Sequence, residues 1–183
     1  TMGVGTNLLG YGNEEVDNAV REAVNKGNMS TLNCPEEVLL AEKLVKMHPW
    51  AGMVKFARTG GEANAIAVRI ARAASKNKNI AFCGYHGWHD WYLASNLENP
   101  GNLNTHLLKK IPTGGVPENL KNTIFGFNYN DFDKLENLIK NKKIGILIME
   151  VVRNISPKDN FLKKIQKITK KNNIKLIFDE CTT

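Results

Sequence analysis

The sequence predicts an α/β protein with a mostly parallel central sheet that carries helices on both faces. Short apolar runs typical of buried strands alternate with segments whose apolar residues recur at helical spacing. Strands that alternate with helices form βαβ units, in which neighbouring strands are parallel. The chain has 183 residues, which is enough to bury a sizeable core without disulfide or metal support.

Two helices are predicted in the first fifty residues. Apolar residues fall at helical spacing from Glu14 to Lys26, with Asn13 as the N-cap and Gly27 as the C-terminal stop. Pro35 is typical of the first turn of a helix, and this second helix extends to about Met47.

The next segment predicts a strand, a turn, a helix and a second strand. The strand Met53–Ala57 leads through a Gly-Gly turn into a helix over Glu62–Ala74, and the strand Ile80–Cys83 follows. Residues 84–92 are crowded with aromatic and imidazole side chains, and residues 98–120 are rich in Gly and Pro. We expect a long irregular excursion over 98–120.

The rest of the chain alternates regularly. The predicted elements are strand Thr123–Phe127, helix Asp131–Lys140, strand Ile144–Met149, helix Asn160–Lys171 and strand Lys175–Phe178. Ligands of such sheets bind beyond the carboxyl ends of the strands, so the residues that follow each strand are the candidate functional residues.

Composition excludes several functional classes. The net charge of +7 comes mostly from lysines, and neither basic cluster, at 140–143 or 163–171, contains the interleaved aromatic residues that single-strand nucleic-acid binding needs. No apolar run approaches the roughly 18 residues of a membrane span, and the start of the chain has no basic segment before an apolar one. Cys34, Cys83 and Cys181 are far apart and form no CxxC pair, which argues against disulfides and zinc. We therefore expect a cytoplasmic protein without nucleic-acid or membrane partners.

A turn between a strand and a helix is the first candidate binding feature. The N–H groups of Thr59, Gly60 and Gly61, together with the positive end of the following helix, are suited to hold a phosphate. The alternative is that the glycines only make a tight turn.

The aromatic loop after the second strand is the next candidate. Tyr85 and His86 stand between two glycines, where they would present a flat surface to an aromatic ring or, alternatively, plug into the core. The neighbouring His89 and Asp90 are interpreted as structural, because residues one apart do not share a helix face and no nucleophile motif accompanies them.

Acidic residues follow two apolar strands. Asp179 and Glu150 each end a buried strand, and a carboxylate at the mouth of a central strand is costly unless a cation pairs with it. The two acids would also suit a divalent metal ion, and the chemistry of the residues alone leaves this alternative open. Glu180 would point away from Asp179, since side chains alternate along a strand.

A phosphate cradle, a stacking ring and an acid together describe a site for a phosphorylated heteroaromatic cofactor. The motifs that carry a family resemblance are Met53–Ala63, Gly84-Tyr85-His86-Gly87, Gly115-Val116-Pro117 and Leu176–Glu180. In order and spacing they resemble the class III (fold type I) pyridoxal-phosphate aminotransferases, particularly the glutamate-1-semialdehyde aminomutase branch. The resemblance runs from about Gly3 to Thr183.

The resemblance implies a pyridoxal 5'-phosphate site. The phosphate-binding turn matches Thr59, Gly60 and Gly61, and the residue stacked on the pyridine ring matches Tyr85, with His86 beside it. Asp179 matches the acid that pairs with the pyridinium nitrogen and so lets the ring act as an electron sink. Glu150 matches an acid near the cofactor. With a gap in the alignment, Asn154 matches a residue that reaches the ring hydroxyl.

Some positions depart from the family pattern. Val151 stands where the family usually has Pro, and the segment from there to Asp179 is a few residues shorter. Cys181 replaces the aliphatic residue that covers the other face of the ring, and we interpret it as packing and not as a nucleophile. Trp88 and Trp91 are additions to the aromatic loop. They leave the substrate open between glutamate-1-semialdehyde and an amino-sugar or other keto compound.

The resemblance also implies what the chain lacks. Fold type I enzymes hold the cofactor as a Schiff base on a Lys beyond the Asp-Glu strand, so no catalytic residue is assigned within this sequence. We expect the chain to be the incomplete front half of a longer enzyme, inactive alone. Residues 1–50 would form an N-terminal helical segment, residues 51–183 would form part of the cofactor-binding large domain, and a small C-terminal domain would be absent.

The predicted activity is transfer of an amino group between a small amino donor and a carbonyl compound. The resemblance also implies a homodimer, because the family members that the chain resembles are dimers. Two alternatives belong to other classes. A non-catalytic domain would bind a phosphorylated ligand or a partner chain at the strand ends. A basic nucleic-acid binder would associate in a strongly salt-dependent way.

Overall fold

The computed structural model describes residue 3 and residues 5–27 and 31–182. Residues 1, 2 and 4 and Thr183 lie outside the described residues. The expected lack of an address signal concerns the first of these, and the family resemblance ends at Thr183. The chain divides into two compact units, Thr1–Phe56 and Ala57–Thr183.

The first unit contains the two predicted helices, α1 (Glu14–Lys26) and α2 (Pro35–Met47). The Asn13 side chain accepts a hydrogen bond from the N–H of Val16, which caps α1 as the sequence predicts. Proline occupies the first turn of α2, where its missing N–H costs nothing. Neither helix has a buried residue among those described.

The second unit is a parallel α/β layer structure. Its regular elements are α3 (Gly60–Ser75), β1 (Ile80–Cys83), α4 (Asp90–Leu93), β2 (Ile124–Gly126), α5 (Phe132–Lys142), β3 (Ile146–Glu150), α6 (Phe161–Lys171) and β4 (Lys175–Asp179). The strands pair in parallel in the order β2-β1-β3-β4. Residues 98–117 form turns and irregular backbone, as predicted.

Two apolar clusters cover the two faces of the sheet, because alternate residues of each strand point to opposite sides. On one face, Ile80 and Phe82 of β1 pack with Val68 of α3. On the other face, Ala81 and Cys83 belong to the cluster that holds residues of α5 and α6. The predicted sheet with helices on both faces is therefore confirmed.

Three local predictions are wrong. Residues 51–57 have no regular secondary structure, because a strand needs a neighbour for its hydrogen bonds and no described strand pairs with this segment. Gly60 and Gly61 are not a turn but the first residues of α3. The strand β4 is an edge of the described sheet rather than a central strand, so most of its residues are only half-buried.

No helix in the described part of the chain is both long and apolar enough to cross a membrane.

Candidate active site

The candidate site lies at the carboxyl edge of the sheet. Glu150 ends β3 and Asp179 ends β4, and the two residues are direct partners in the parallel register. The loop after β1 carries Tyr85 and His86, and the N-terminus of α3 begins after Thr59. The topology therefore brings most of the predicted site residues to one edge, as the rule for ligand sites in open α/β sheets requires.

Three donors hold the buried carboxylate of Asp179. Its Oδ2 accepts hydrogen bonds from Asn64 Nδ2 at 2.8 Å and from His86 Nδ1 at 2.9 Å, and its Oδ1 accepts from the backbone N–H of Cys181 at 3.1 Å. Burial alone would raise the pKa of this carboxyl, but the hydrogen bonds, led by that of His86, outweigh it, so the pKa lies below its ordinary value. Asp179 is thus held as a carboxylate that is 8% exposed.

His86 belongs to the interior of the site rather than to its surface. Its side chain is almost fully buried, its Nδ1 faces Asp179, and its Nε2 lies 3.2 Å from the carbonyl oxygen of Cys83. The ring stacks on Trp91 at a centroid distance of 6.2 Å. His86 therefore positions Asp179 and is not part of a flat surface presented to a ligand.

Sequence reasoning missed Asn64. This residue lies on α3 and is buried, together with Val68 and Ala71, on the face that packs against the sheet. An amide at a core position of an amphipathic helix needs a partner, and this is the signal that identifies it. Its Nδ2 donates to Asp179 and lies 3.5 Å from the carbonyl oxygen of His86.

The start of α3 has the features of an anion site. Thr59 is the N-cap, and its hydroxyl accepts a hydrogen bond from the N–H of Glu62 at 3.2 Å. The Glu62 carboxylate accepts in turn from the N–H of Arg58, which fixes the entry of the chain into the helix. Thr59 and Gly60 are exposed. The first N–H groups of a helix have no acceptor within it and point outward.

The two glycines at this helix start also leave little space for a side chain. A Cβ on Gly60 would lie 3.2 Å from the sulfur of Cys181, and a Cβ on Gly61 would lie 3.1 Å from the ring of His89. A Cβ on Gly87 would lie 3.0 Å from the Cα of Gly61. The exposed start of α3 is therefore also closely packed, and His89 has a packing contact in line with the structural interpretation.

Tyr85 is half-buried at the end of β1. Its ring makes an edge contact with Tyr92 at a centroid distance of 5.9 Å and packs against the core cluster on the α3 face of the sheet. The Tyr92 hydroxyl donates to the carbonyl oxygen of Gly84 at 2.9 Å, which anchors the strand end. Of the two added tryptophans, Trp91 is buried, while Trp88 is 76% exposed.

Cys181 is exposed two residues beyond Asp179, with its sulfur beside Gly60. Glu180, the first residue beyond β4, is exposed, whereas Asp179 is buried.

Glu150 has a partner that the sequence analysis did not assign. Its Oε1 lies 2.5 Å from Nη2 of Arg153, and its side chain packs over Gly84. Arg153 occupies a half-buried position three residues beyond the strand. The sequence does contain a signal for this pair. Arg153 is a basic residue three positions after Glu150, an acid that was expected to need a cation.

A cavity of about 470 Å³ adjoins this ion pair. Asn154 is exposed and lines the cavity with Glu150 and Arg153, on the side of β3 that faces β1 and β2. His106 also lines it, and its Nδ1 accepts the N–H of Gly84 at 3.2 Å. Burial and the nearby His86 lower the pKa of His106 to about 4.

The predicted residues thus fall into two groups. Asp179, His86, Cys181 and Gly60 form one connected set with the start of α3, while Glu150 and Asn154 line the cavity on the other side of β3. Within the described ranges, no group of three or more His, Cys, Asp or Glu side chains is arranged to hold a metal ion.

The fold and this edge define an α/β protein whose ligand site lies beyond the ends of parallel strands. The model of the aminotransferase class-III family matches residues 1–183. The chain therefore belongs to the class-III aminotransferase family, and the resemblance deduced from its motifs is confirmed.

Relatives and solved structures agree with this assignment. The glutamate-1-semialdehyde 2,1-aminomutase of Nitrosopumilus maritimus is 38% identical over 188 residues, which are 99% of this chain and 43% of that protein. An omega-transaminase from Sphaerobacter thermophilus has the same fold, with a TM-score of 0.77, 24% identity, and coverage of 92% of this chain and 41% of that one. A transaminase with PLP bound gives a TM-score of 0.76 at 25% identity, covering 92% and 40%. The chain spans less than half the length of the proteins it matches.

Proposed function

We propose that residues 51–183 are the cofactor-binding part of a pyridoxal-phosphate-dependent enzyme that transfers an amino group between a small amino donor and a carbonyl compound. The observation that carries the proposal is the buried carboxylate of Asp179, which three donors hold in its charged form. A buried carboxylate with a lowered pKa is prepared to pair with a cation. A protonated pyridine nitrogen is such a cation.

The other residues of the edge fit the same cofactor. Thr59, Gly60 and Gly61 would hold the phosphate through the exposed start of α3. Tyr85 and Cys181 would cover the two faces of the ring, and both carry apolar surface suited to that contact. Pyridoxal phosphate, when bound, supplies an electron sink for the substrate carbon that loses its proton.

Asp179 would keep the proton on the pyridine nitrogen, and His86 and Asn64 would hold Asp179 in place. Both side chains donate to Oδ2, whereas Oδ1 accepts the Cys181 N–H. A carboxylate oxygen has two lone pairs, so Oδ1 keeps one with which it could accept from the cofactor. Glu150 and Asn154 would lie on the flank of the cofactor, with Asn154 reaching toward the ring hydroxyl.

The substrate class follows from the relatives. We propose glutamate-1-semialdehyde, on which the matched aminomutases are named to act, as the first substrate to test. An amino-sugar or other keto compound is the second, because Trp88, an addition to the aromatic loop, is largely exposed. We also propose a cytoplasmic homodimer, supported by three free cysteines and by the dimers that the resemblance implies.

The test uses the full-length polypeptide that contains this chain, mixed with pyridoxal phosphate and followed by visible absorbance. Borohydride treatment and mass spectrometry then locate any covalent attachment. A cofactor band that shifts in an Asp179→Asn variant, together with conversion of glutamate-1-semialdehyde, supports the proposal. A protein that leaves the cofactor spectrum unchanged would refute it and would favour the non-catalytic phosphate-ligand alternative.

A further inference from the structure

A groove between α5 and α6 is not explained by the proposed cofactor site. These two helices pack side by side on one face of the sheet, and the groove between them measures about 310 Å³. Its lining residues come from the two helices and from the residue that follows α6. None of the residues proposed to hold the cofactor lines it. The groove is therefore a separate feature of the second unit.

The base of the groove is apolar. Phe132 and Ile139 of α5 and Ile168 of α6 line it, and each of them also packs against the core cluster that the two helices share. All three side chains are half-buried, so part of their apolar surface stays open to the groove. Removing this surface from water is favourable, and an apolar partner would do so.

The rim of the groove is positively charged. Four lysines line it, against a single acid, Glu136. The lysines are Lys140 of α5 and Lys164, Lys167 and Lys171 of α6. All four are exposed, and none of them has an ion-pair partner among the residues that the structure describes. The rim therefore carries an excess of unpaired positive charge.

The spacing of the lysines on α6 gives the rim a direction. Lys164, Lys167 and Lys171 follow one another at intervals of three and four residues, so they form a row on one face of the helix. Over these positions a helix rises about 10 Å. Like charges at this spacing repel one another and destabilise the helix. A partner that brings carboxylates to the row would remove this repulsion.

The border between rim and base is shared by a cation and a ring. The Nζ of Lys164 lies over the ring of Phe132, 5.8 Å from its centroid, a distance typical of a cation–π contact. Charged and apolar surface therefore lie next to each other along the groove. An occupant that uses both surfaces must be amphipathic.

The two surfaces together distinguish between possible occupants. A nucleic-acid backbone or a small anion would use the lysines but leave the apolar base in water. A second copy of this chain carries the same net charge of +7 and would be repelled. An amphipathic helix with an acidic flank matches both the base and the rim, and helices commonly bind in apolar grooves of this kind.

We propose that the groove between α5 and α6 is a docking surface for an acidic amphipathic helix of another protein. The apolar face of that helix lies on the base of the groove, and its carboxylates pair with the lysine rim. The inference goes beyond the proposed function and does not depend on the cofactor, since the two sets of residues are separate.

The test measures fluorescence anisotropy of a labelled probe peptide with the full-length polypeptide that contains this chain. The probe is a two-heptad helical peptide with leucine on one face and glutamate on both flanks. One control peptide has glutamine at every glutamate position, and the other has alanine at every leucine position. We expect the probe to bind and each control to bind roughly 10-fold or more weakly, because each lacks one of the two matching surfaces.

Two matched variants of α6 locate the binding surface. Lys164→Gln/Lys167→Gln removes two lysines of the rim and should weaken probe binding by roughly 3- to 10-fold, the scale of two exposed ion pairs. Lys163→Gln/Lys170→Gln removes the same charge from exposed lysines of the same helix that do not line the groove, and it should weaken binding far less. Circular dichroism confirms that both variants fold as the wild type does.

Several outcomes would overturn the inference. It fails if the full-length polypeptide does not bind the probe, or if both double variants lose the same affinity. It also fails if the alanine control binds as tightly as the probe, because the association is then electrostatic only. Polyuridylate is titrated in parallel. If it binds as tightly as the probe and depends equally on Lys164 and Lys167, the groove is a nucleic-acid site and not a helix-docking surface.

Discussion

Gly84 offers a sharp test of the geometry around Glu150. Its backbone has a φ of +111°, and a Cβ added to it would lie 2.8 Å from both Cγ and Cδ of Glu150. The glycine cannot shift easily, because its N–H donates to His106 and its carbonyl oxygen accepts from the Tyr92 hydroxyl. In Gly84→Ala the Glu150 side chain must therefore move, and its contact with Arg153 is disturbed.

Two separate costs add in this variant. A residue with a Cβ at positive φ loses about 1–2 kcal/mol relative to glycine. Forcing a side chain out of a packed position costs typically about 1–3 kcal/mol more. We therefore expect Gly84→Ala to lower the free energy of unfolding by about 2–5 kcal/mol.

The chain supplies two matched controls in its irregular segment. Gly115 has a φ of +89° but open space around its Cα, so Gly115→Ala reports the backbone cost alone, about 1–2 kcal/mol. Gly114 has neither a positive φ nor a close neighbour, so Gly114→Ala should be neutral or stabilising by up to about 1 kcal/mol. Urea denaturation followed by circular dichroism ranks the three variants. If Gly84→Ala is destabilised no more than Gly115→Ala, the close packing of Glu150 on Gly84 is refuted.

Three further predictions concern the site. The pKa of His106 is about 4 in the folded chain against an ordinary value of 6.5, so the unfolded chain binds more protons between these values. This residue should lower the free energy of unfolding by up to roughly 1.4 kcal/mol per pH unit as the pH drops through that window. Urea denaturation at several pH values should therefore show a steeper slope in the wild type than in His106→Gln, and equal slopes would contradict the lowered pKa. Asp179→Asn should lower the rate of amino transfer by roughly 100-fold or more, the scale on which removing an electrostatic stabiliser acts, and a rate within a few-fold of the wild type would contradict the role given to this carboxylate. Thr59→Ala should cost about 1 kcal/mol through the lost helix cap and weaken binding of pyridoxal phosphate, whereas Thr59→Ser should retain both properties, as thermal midpoints and cofactor titration will show.

Local patterns in the sequence predicted the sheet well. The strands β1, β3 and β4 are short apolar runs whose alternate residues enter opposite core clusters, and their boundaries fall within two residues of the predicted ones. The acids Glu150 and Asp179 were identified because a charge that follows a buried run needs a partner. These inferences depend only on neighbouring residues.

The errors have non-local causes. Residues 53–57 have the composition of a strand, but strand formation depends on a pairing partner elsewhere in the chain. The same reasoning explains β4, whose position at the edge depends on topology and not on its own residues.

The partners of the site residues were equally hidden. Asn64 and Asp179 are 115 positions apart, and His86 and Asp179 are 93 apart. No spacing rule connects such distant residues, although a polar side chain on a core-facing helix position marks Asn64 as a residue in need of a partner. The Glu150–Arg153 pair is local, but the cavity beside it is known only from the structure.

The close approach of Gly61 to Gly87 has a consequence for how such a site diversifies. A Cβ on Gly87 would lie 3.0 Å from the Cα of Gly61, so the aromatic loop can approach the helix start this closely only with a glycine at position 87. A side chain at position 61 would meet the ring of His89 at 3.1 Å, so a larger residue at either position would press on the same loop. The cavity beside β3 is lined mainly by side chains of separate segments and has one such constrained position, Gly84. Sequence changes are therefore expected to accumulate among the lining side chains of the cavity, while Gly61, Gly84 and Gly87 stay the same.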